Sequence, residues 1–88
     1  MLIPVYHKVF EKEVERARKR GKDISKLKKV MDCLAQENPL DRKHRNHRLK
    51  GELVGQWECH IEPDWLLIYT KTDTHIYFAR TGTHSDLF

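Results

Sequence analysis

Six of the 88 residues are histidine, the one side chain that exchanges protons near neutral pH without help from its surroundings. Three of them, His47, His60 and His84, stand in polar, turn-adjacent stretches of sequence. His60 and Asp64 bracket Glu62-Pro63, a spacing that lets their side chains meet, and Arg80 lies four residues before His84. Adjacent antiparallel strands would bring His60, Asp64, Arg80 and His84 to one end of a sheet. Such a set has the parts needed to cleave RNA at its own 2′-hydroxyl. One group takes the 2′-OH proton, a second protonates the leaving 5′-oxygen, and a cation balances the charge that builds on five-coordinate phosphorus. Imidazole fills either proton-transfer role, and the arginine fork matches phosphate oxygens. Phe88 either stacks on a base or tucks back on the sheet to anchor the tail. Any one of these histidines, taken alone, is also ordinary for a polar strand surface. A metal site from His60, Glu62, Asp64 and His84 fits no standard ligand spacing, and the acid–base reading calls for no cofactor.

Positioning these groups requires a scaffold, and the hydrophobic pattern supplies one. Leu2 to Tyr6 reads as a short strand. From His7 the period turns helical, with Tyr6, Phe10, Val14 and Ala17 on one face and Glu, Lys and Arg opposite. Gly21 after Arg18-Lys19-Arg20 ends that helix. Asp23 caps a second one whose apolar positions are Ile24, Leu27, Val30, Met31 and Leu34, and Asn38-Pro39 stops it. Residues 7–37 are therefore a helical hairpin. Residues 40–48 read as a basic loop, and Leu49 and Leu53 flank Gly51 in a weak strand. Trp57, Cys59 and Ile61 alternate with Glu58, His60 and Glu62, a half-buried strand; Pro63-Asp64 turns into the apolar run Trp65–Tyr69; Ile76–Arg80 is the last strand before a short tail. The expected fold is α+β: one domain over residues 1–88, with an N-terminal helical hairpin packed on one face of a small twisted antiparallel sheet. Trp57, Trp65 and Cys59 are expected in the core, and His7, His44 and His75 on the surface.

The longest apolar run is five residues, against about 20 for a membrane-spanning helix, so no membrane helix is expected. Met1-Leu2-Ile3-Pro4 lacks the basic start of a secretory signal, and Cys33 and Cys59 suit reduced thiols in a cytoplasm. Charge is asymmetric: residues 1–50 hold 15 Lys/Arg against 7 acids, and residues 51–88 hold 2 against 6. Arg16 to Lys29 carries eight cations and one acid, and Arg42 to Lys50 five cations and none. Such stretches bind nucleic acid or an acidic protein partner, or simply solvate a helix face.

Three blocks carry a resemblance over nearly the whole chain: His47-Arg48-Leu49-Lys50-Gly51, Glu58-Cys59-His60-Ile61-Glu62-Pro63-Asp64-Trp65-Leu66-Leu67-Ile68-Tyr69, and Arg80-Thr81-Gly82-Thr83-His84-Ser85-Asp86-Leu87-Phe88. Together they resemble the YafQ-type branch of the RelE/ParE toxin superfamily. The resemblance implies a bacterial toxin of a type II toxin–antitoxin pair, an endoribonuclease that cuts mRNA in the ribosomal A site and is neutralised by a cognate antitoxin. It places His47, His60, Asp64, Arg80, His84 and Phe88 in the active site. His60 with Asp64 would remove the 2′-OH proton, His84 would be the general acid, and Arg80 would stabilise the phosphorane. His47 would contact the phosphate backbone or assist Arg80, and Phe88 would position mRNA or the tail. The base and acid roles are interchangeable at this level. The basic stretches would face ribosomal RNA or an acidic antitoxin segment. A ParE-like gyrase inhibitor or a non-catalytic RNA-binding module are the competing readings.

Overall fold

The computed structural model describes residues 1–51 and 55–88, so Leu53 of the expected weak strand lies outside the described residues. Strand β1 (Ile3–Tyr6) leads into helix α1 (Lys8–Lys19) and helix α2 (Ile24–Ala35). A 3₁₀ turn (Arg42–His44) precedes β2 (His47–Arg48), β3 (Trp57–Glu62), β4 (Trp65–Lys71), β5 (His75–Gly82) and the short helix α3 (His84–Leu87). The described strands form one sheet in the order β1-β5-β4-β3-β2.

The helical hairpin closes as expected at Gly21. Gly21 N–H bonds Arg18 O and Lys22 N–H bonds Ala17 O, each at 3.0 Å, with Gly21 at φ 87°, where a side chain would be strained. Asp23 caps α2 by accepting from the Ser25 N–H at 3.0 Å. The far end of α2 closes by the same double bond, Glu37 N–H to Leu34 O and Asn38 N–H to Cys33 O, with Glu37 at φ 61°. A left-handed residue, ahead of Asn38-Pro39, ends this helix.

The expected antiparallel sheet is antiparallel from β2 to β5, but β1 runs parallel to β5, so the sheet is mixed. No turn links the two strands: Ile3 pairs with His75 across nearly the whole chain, so the helical hairpin, not a local loop, sets the direction of β1. Pro4 sits where its missing N–H faces away from β5, since Ile3 and His7 donate inward to Thr74 O and Phe78 O. The expected basic loop at 40–48 contains β2. Arg45, at φ 47°, turns the chain so that His47 pairs with Glu58 and Arg48 with Trp57.

The core lies between the hairpin and one sheet face. Phe10, Leu27 and Val30 meet Trp65, Leu67, Tyr69 and Phe78, all nearly inaccessible. Trp65 donates Nε1–H to Thr81 Oγ1 at 3.0 Å, and Trp57 packs at the core's margin beneath Arg48 and Lys71. Burial pushes the Cys59 thiol up to about 12, which makes it an inert core residue. One expectation fails on α1: Glu13, read as part of the polar face, is buried. It lies where β5 continues past the end of β1, and its Oε1 accepts from the otherwise uncovered Thr81 N–H at 3.3 Å.

Candidate active site

The strand register puts Leu66 and Ile68 of β4 on the face opposite the helices, with Glu58 and His60 of β3, His47 of β2 and Arg80 of β5 paired into the same rows. The His47 and His60 rings lie 6.4 Å apart between centroids, and those of His60 and His84 5.8 Å apart. Three histidines from three elements thus form one row. His84 opens α3, which a reciprocal cap holds: Thr83 Oγ1 accepts the Asp86 N–H at 3.1 Å and Asp86 accepts the Thr83 N–H at 2.9 Å. Asp86 is also clamped by Arg20 at 2.7 Å, and that bond, with the Thr83 N–H behind it, holds its carboxyl well below the usual range. Gly82 is required here by close approach, because a Cβ at that position would lie 2.9 Å from Asp86 Cβ.

Asp64 meets His84 rather than His60, the partner expected from sequence. Its Oδ1 accepts from the His84 backbone N–H at 2.9 Å and contacts Nδ1 at 2.6 Å. The backbone bond first, then the ring, lowers the Asp64 carboxyl below its ordinary value. The two-residue Pro63-Asp64 turn points Asp64 across the sheet to β5's end, while His60 Nδ1 faces Pro63 O at 3.3 Å. Glu62 of the metal set weighed from sequence turns the other way, to Lys22 at 3.1 Å and Lys26 at 3.0 Å on the helical side.

Arg80 is locked by Glu13. Its Nε–H and one Nη2–H donate to the two carboxylate oxygens, each at 2.8 Å, which raises the guanidinium above its ordinary value and leaves its other donors for a ligand. Arg80 and Phe88 share a cleft of about 410 Å³ with Ile68 and Gln56, next to the histidine row. Phe88 stays 62% exposed, so it is not buried against the sheet. On the other side, Lys43 and Arg45 line a cleft of about 390 Å³ with His60 and Pro63. The Arg42–Lys50 stretch therefore borders the site. The Arg16–Lys29 stretch is largely drawn into ion pairs, with Arg16 and Arg20 on Asp86 and Lys22 and Lys26 on Glu62.

Three contributors were not singled out from sequence. Glu58 sits between His47 and His60, and the two-residue alternation Glu58-x-His60 already put it on the histidine face. Glu13 had no sequence signal, because only the fold reveals its contact 67 residues away. His44, expected at the surface, faces His60 O with Nδ1 at 2.7 Å and so pins the basic turn to β3.

The chain matches, over residues 3–88, the family described as bacterial toxin of type II toxin-antitoxin system, YafQ. It is 44% identical over 84 residues to the mRNA interferase toxin YafQ of Escherichia coli strain K12, covering 94% of this chain and 91% of that protein. The crystal structure of YafQ from E. coli BL21(DE3) superimposes with a TM-score of 0.94 at 40% identity, covering 100% of this chain and 99% of the other. A crystal structure of the E. coli DinJ-YafQ complex matches with a TM-score of 0.93 at 42% identity, again over 100% and 99% of the two chains. On the sequence match and the shared fold together, the chain belongs to the YafQ family of bacterial type II toxins.

Proposed function

We propose that the chain is an mRNA interferase, an endoribonuclease that cleaves mRNA in the ribosomal A site by attack of a 2′-hydroxyl on the adjacent phosphate. The observation that carries this reading is the row His47–His60–His84, with ring centroids 6.4 and 5.8 Å apart and Asp64 bonded to His84. One imidazole takes the 2′-OH proton as the 2′-oxygen bonds to phosphorus. Another gives a proton to the 5′-oxygen as the P–O5′ bond breaks, leaving a 2′,3′-cyclic phosphate and a 5′-hydroxyl. Arg80, oriented by Glu13, faces the charge that develops on the phosphorane oxygens. Phe88, exposed beside Arg80, offers a ring for a base to stack on.

Lys43 and Arg45 beside His60 supply the phosphate contacts of a nucleic-acid surface. The ribosome then supplies much of the positioning, so free RNA is cut weakly. The name of the E. coli relative and its complex with DinJ support the activity and a cognate antitoxin, here one with an acidic segment that covers the basic surface. No described helix is long and apolar enough to cross a membrane, and ribosomes place the activity in the cytoplasm.

The test is cleavage of mRNA on programmed ribosomes by wild type and His84→Ala, with a deoxyribose at the scissile position as control. Cleavage lost in both controls supports the reading. Ribosome binding without cleavage by wild type refutes it and revives the gyrase and RNA-binding alternatives. With chemistry rate-limiting, the single-turnover rate is bell-shaped in pH.

A further inference from the structure

The side chains of Glu58 and His60 are 9% and 11% exposed, and Glu58 Oε1 lies 3.5 Å from Nε2 of His60 and 3.5 Å from Nε2 of His47. A carboxylate so placed needs a donor. Both imidazoles have already committed their other nitrogen. His47 Nδ1 faces Arg45 O at 2.6 Å and His60 Nδ1 faces Pro63 O at 3.3 Å. A carbonyl oxygen only accepts, so both Nδ1 atoms carry their hydrogens, and a neutral ring then presents a bare lone pair at Nε2. With both rings neutral and Glu58 ionised, three acceptors would converge on one another. A single proton among the three removes that conflict.

We infer that Glu58, His47 and His60 share one proton at neutral pH, and that Glu58 is a positioning residue which makes the pair the general acid of the reaction. This rests on the ribonuclease reading for its catalytic part only. The assignment leaves His84 as the base: Asp64 fixes its Nδ1 side and leaves Nε2 for the 2′-OH. The 2′-OH proton passes to His84 Nε2, the shared proton passes to the 5′-oxygen, and exchange with water restores both. The other charged and titratable groups that the described residues present around the trio are His84 with Asp64 from α3 and the turn, His44, Lys43 and Arg45 from the basic turn, and Glu62 at the cleft's edge, itself paired with Lys22 and Lys26. None of these lies between the three.

Glu58→Gln keeps the shape but replaces one oxygen by an amide N–H₂, which donates to the Nε2 lone pairs without an extra proton. Two measurements decide the matter. Ring-nitrogen NMR of the free toxin at about pH 7 is expected to show Nε2 protonation shared by His47 and His60 in wild type and two neutral rings in Glu58→Gln. Single-turnover cleavage is then compared on substrates with an ordinary 5′-oxygen and with a 5′-bridging sulfur, a leaving group that needs no acid. Glu58→Gln is expected to lose ~10²-fold on oxygen, within the usual contribution of a positioned acid, and to recover on sulfur, as is His60→Ala, while His84→Ala is slow on both. Equal losses on both substrates, or neutral rings in wild type, would overturn the assignment. Wild type cleaving neither substrate would remove the ribonuclease reading and the acid role with it, while the NMR result would still decide the shared proton.

Discussion

Glu13→Ala is expected to destabilise the protein by about 2–3 kcal/mol, chiefly through two losses, since its third contact, Arg16 Nη2 at 3.4 Å, leaves Arg16 with Asp86 as partner. Thr81 is wholly inaccessible, and its N–H loses its acceptor at the end of the β5 edge, a cost of about 1 kcal/mol at the low end of the range because the bond is 3.3 Å long. Arg80 loses two charge-assisted bonds of 2.8 Å. A fully buried pair broken on one side costs about 3–5 kcal/mol, but the Arg80 side chain is 40% exposed and recovers water, so about 1–2 kcal/mol remains. At roughly 4–8 °C per kcal/mol for a domain of this size, Tm falls by roughly 10–20 °C. The measurement is thermal and urea unfolding in a His84→Ala background, which keeps toxicity from limiting expression. A double-mutant cycle with Arg80→Ala should return a coupling of about 1 kcal/mol or more. In the active background Glu13→Ala should slow cleavage about tenfold, because an unlocked guanidinium samples other rotamers. A loss below about 0.5 kcal/mol together with zero coupling would refute the account of Glu13 as the anchor of Arg80 and of the β5 edge.

Four further outcomes follow from the same contacts. The Asp86 and Asp64 carboxyls sit below their ordinary values in the folded state, so their stabilising contribution is full above about pH 4–5 and is lost as pH falls further; Asp86→Asn should flatten the acid limb of a stability–pH curve. Gly82→Ala forces a Cβ to within 2.9 Å of Asp86 Cβ, so α3 must move and carry His84 with it; cleavage should fall with little change in far-UV circular dichroism. Glu37→Gly relieves a left-handed residue at the end of α2 and should raise stability by up to about 1 kcal/mol in urea unfolding. In the native state Cys33 should react with a thiol reagent while Cys59, fully inaccessible, should not until the protein unfolds.

The helical hairpin was legible because its signals are local. Asp23 caps within two residues and the bonds at Gly21 close within five, so both could be placed from neighbours alone. The strands β3, β4 and β5 were legible from their period and from the Pro63-Asp64 turn. The direction of β1 was not, because its partner is at the other end of the chain. Helix α3 falls in the stretch expected as a short tail, although Thr83-x-x-Asp86 has the spacing of a capping box and so signals a helix start. The turn after His60, which suggested an Asp64–His60 pair, carries Asp64 across to His84, since the hairpin geometry aims the carboxylate at the neighbouring strand's end.

Residue types and local spacing determined which groups exist to do chemistry and which faces are apolar, because hydrophobic period, capping and turn formation act over a few residues. They also carried the family resemblance. Tertiary structure alone decided the pairings: Glu13 with Arg80, Asp64 with His84, and Glu58 with His47. Each joins side chains from different elements, and the distance between such groups is set by sheet register, by the β5 edge left open beyond β1, and by the approach of α3 over Gly82. Those contacts set the chemistry of the site, and they exist only once the chain has folded.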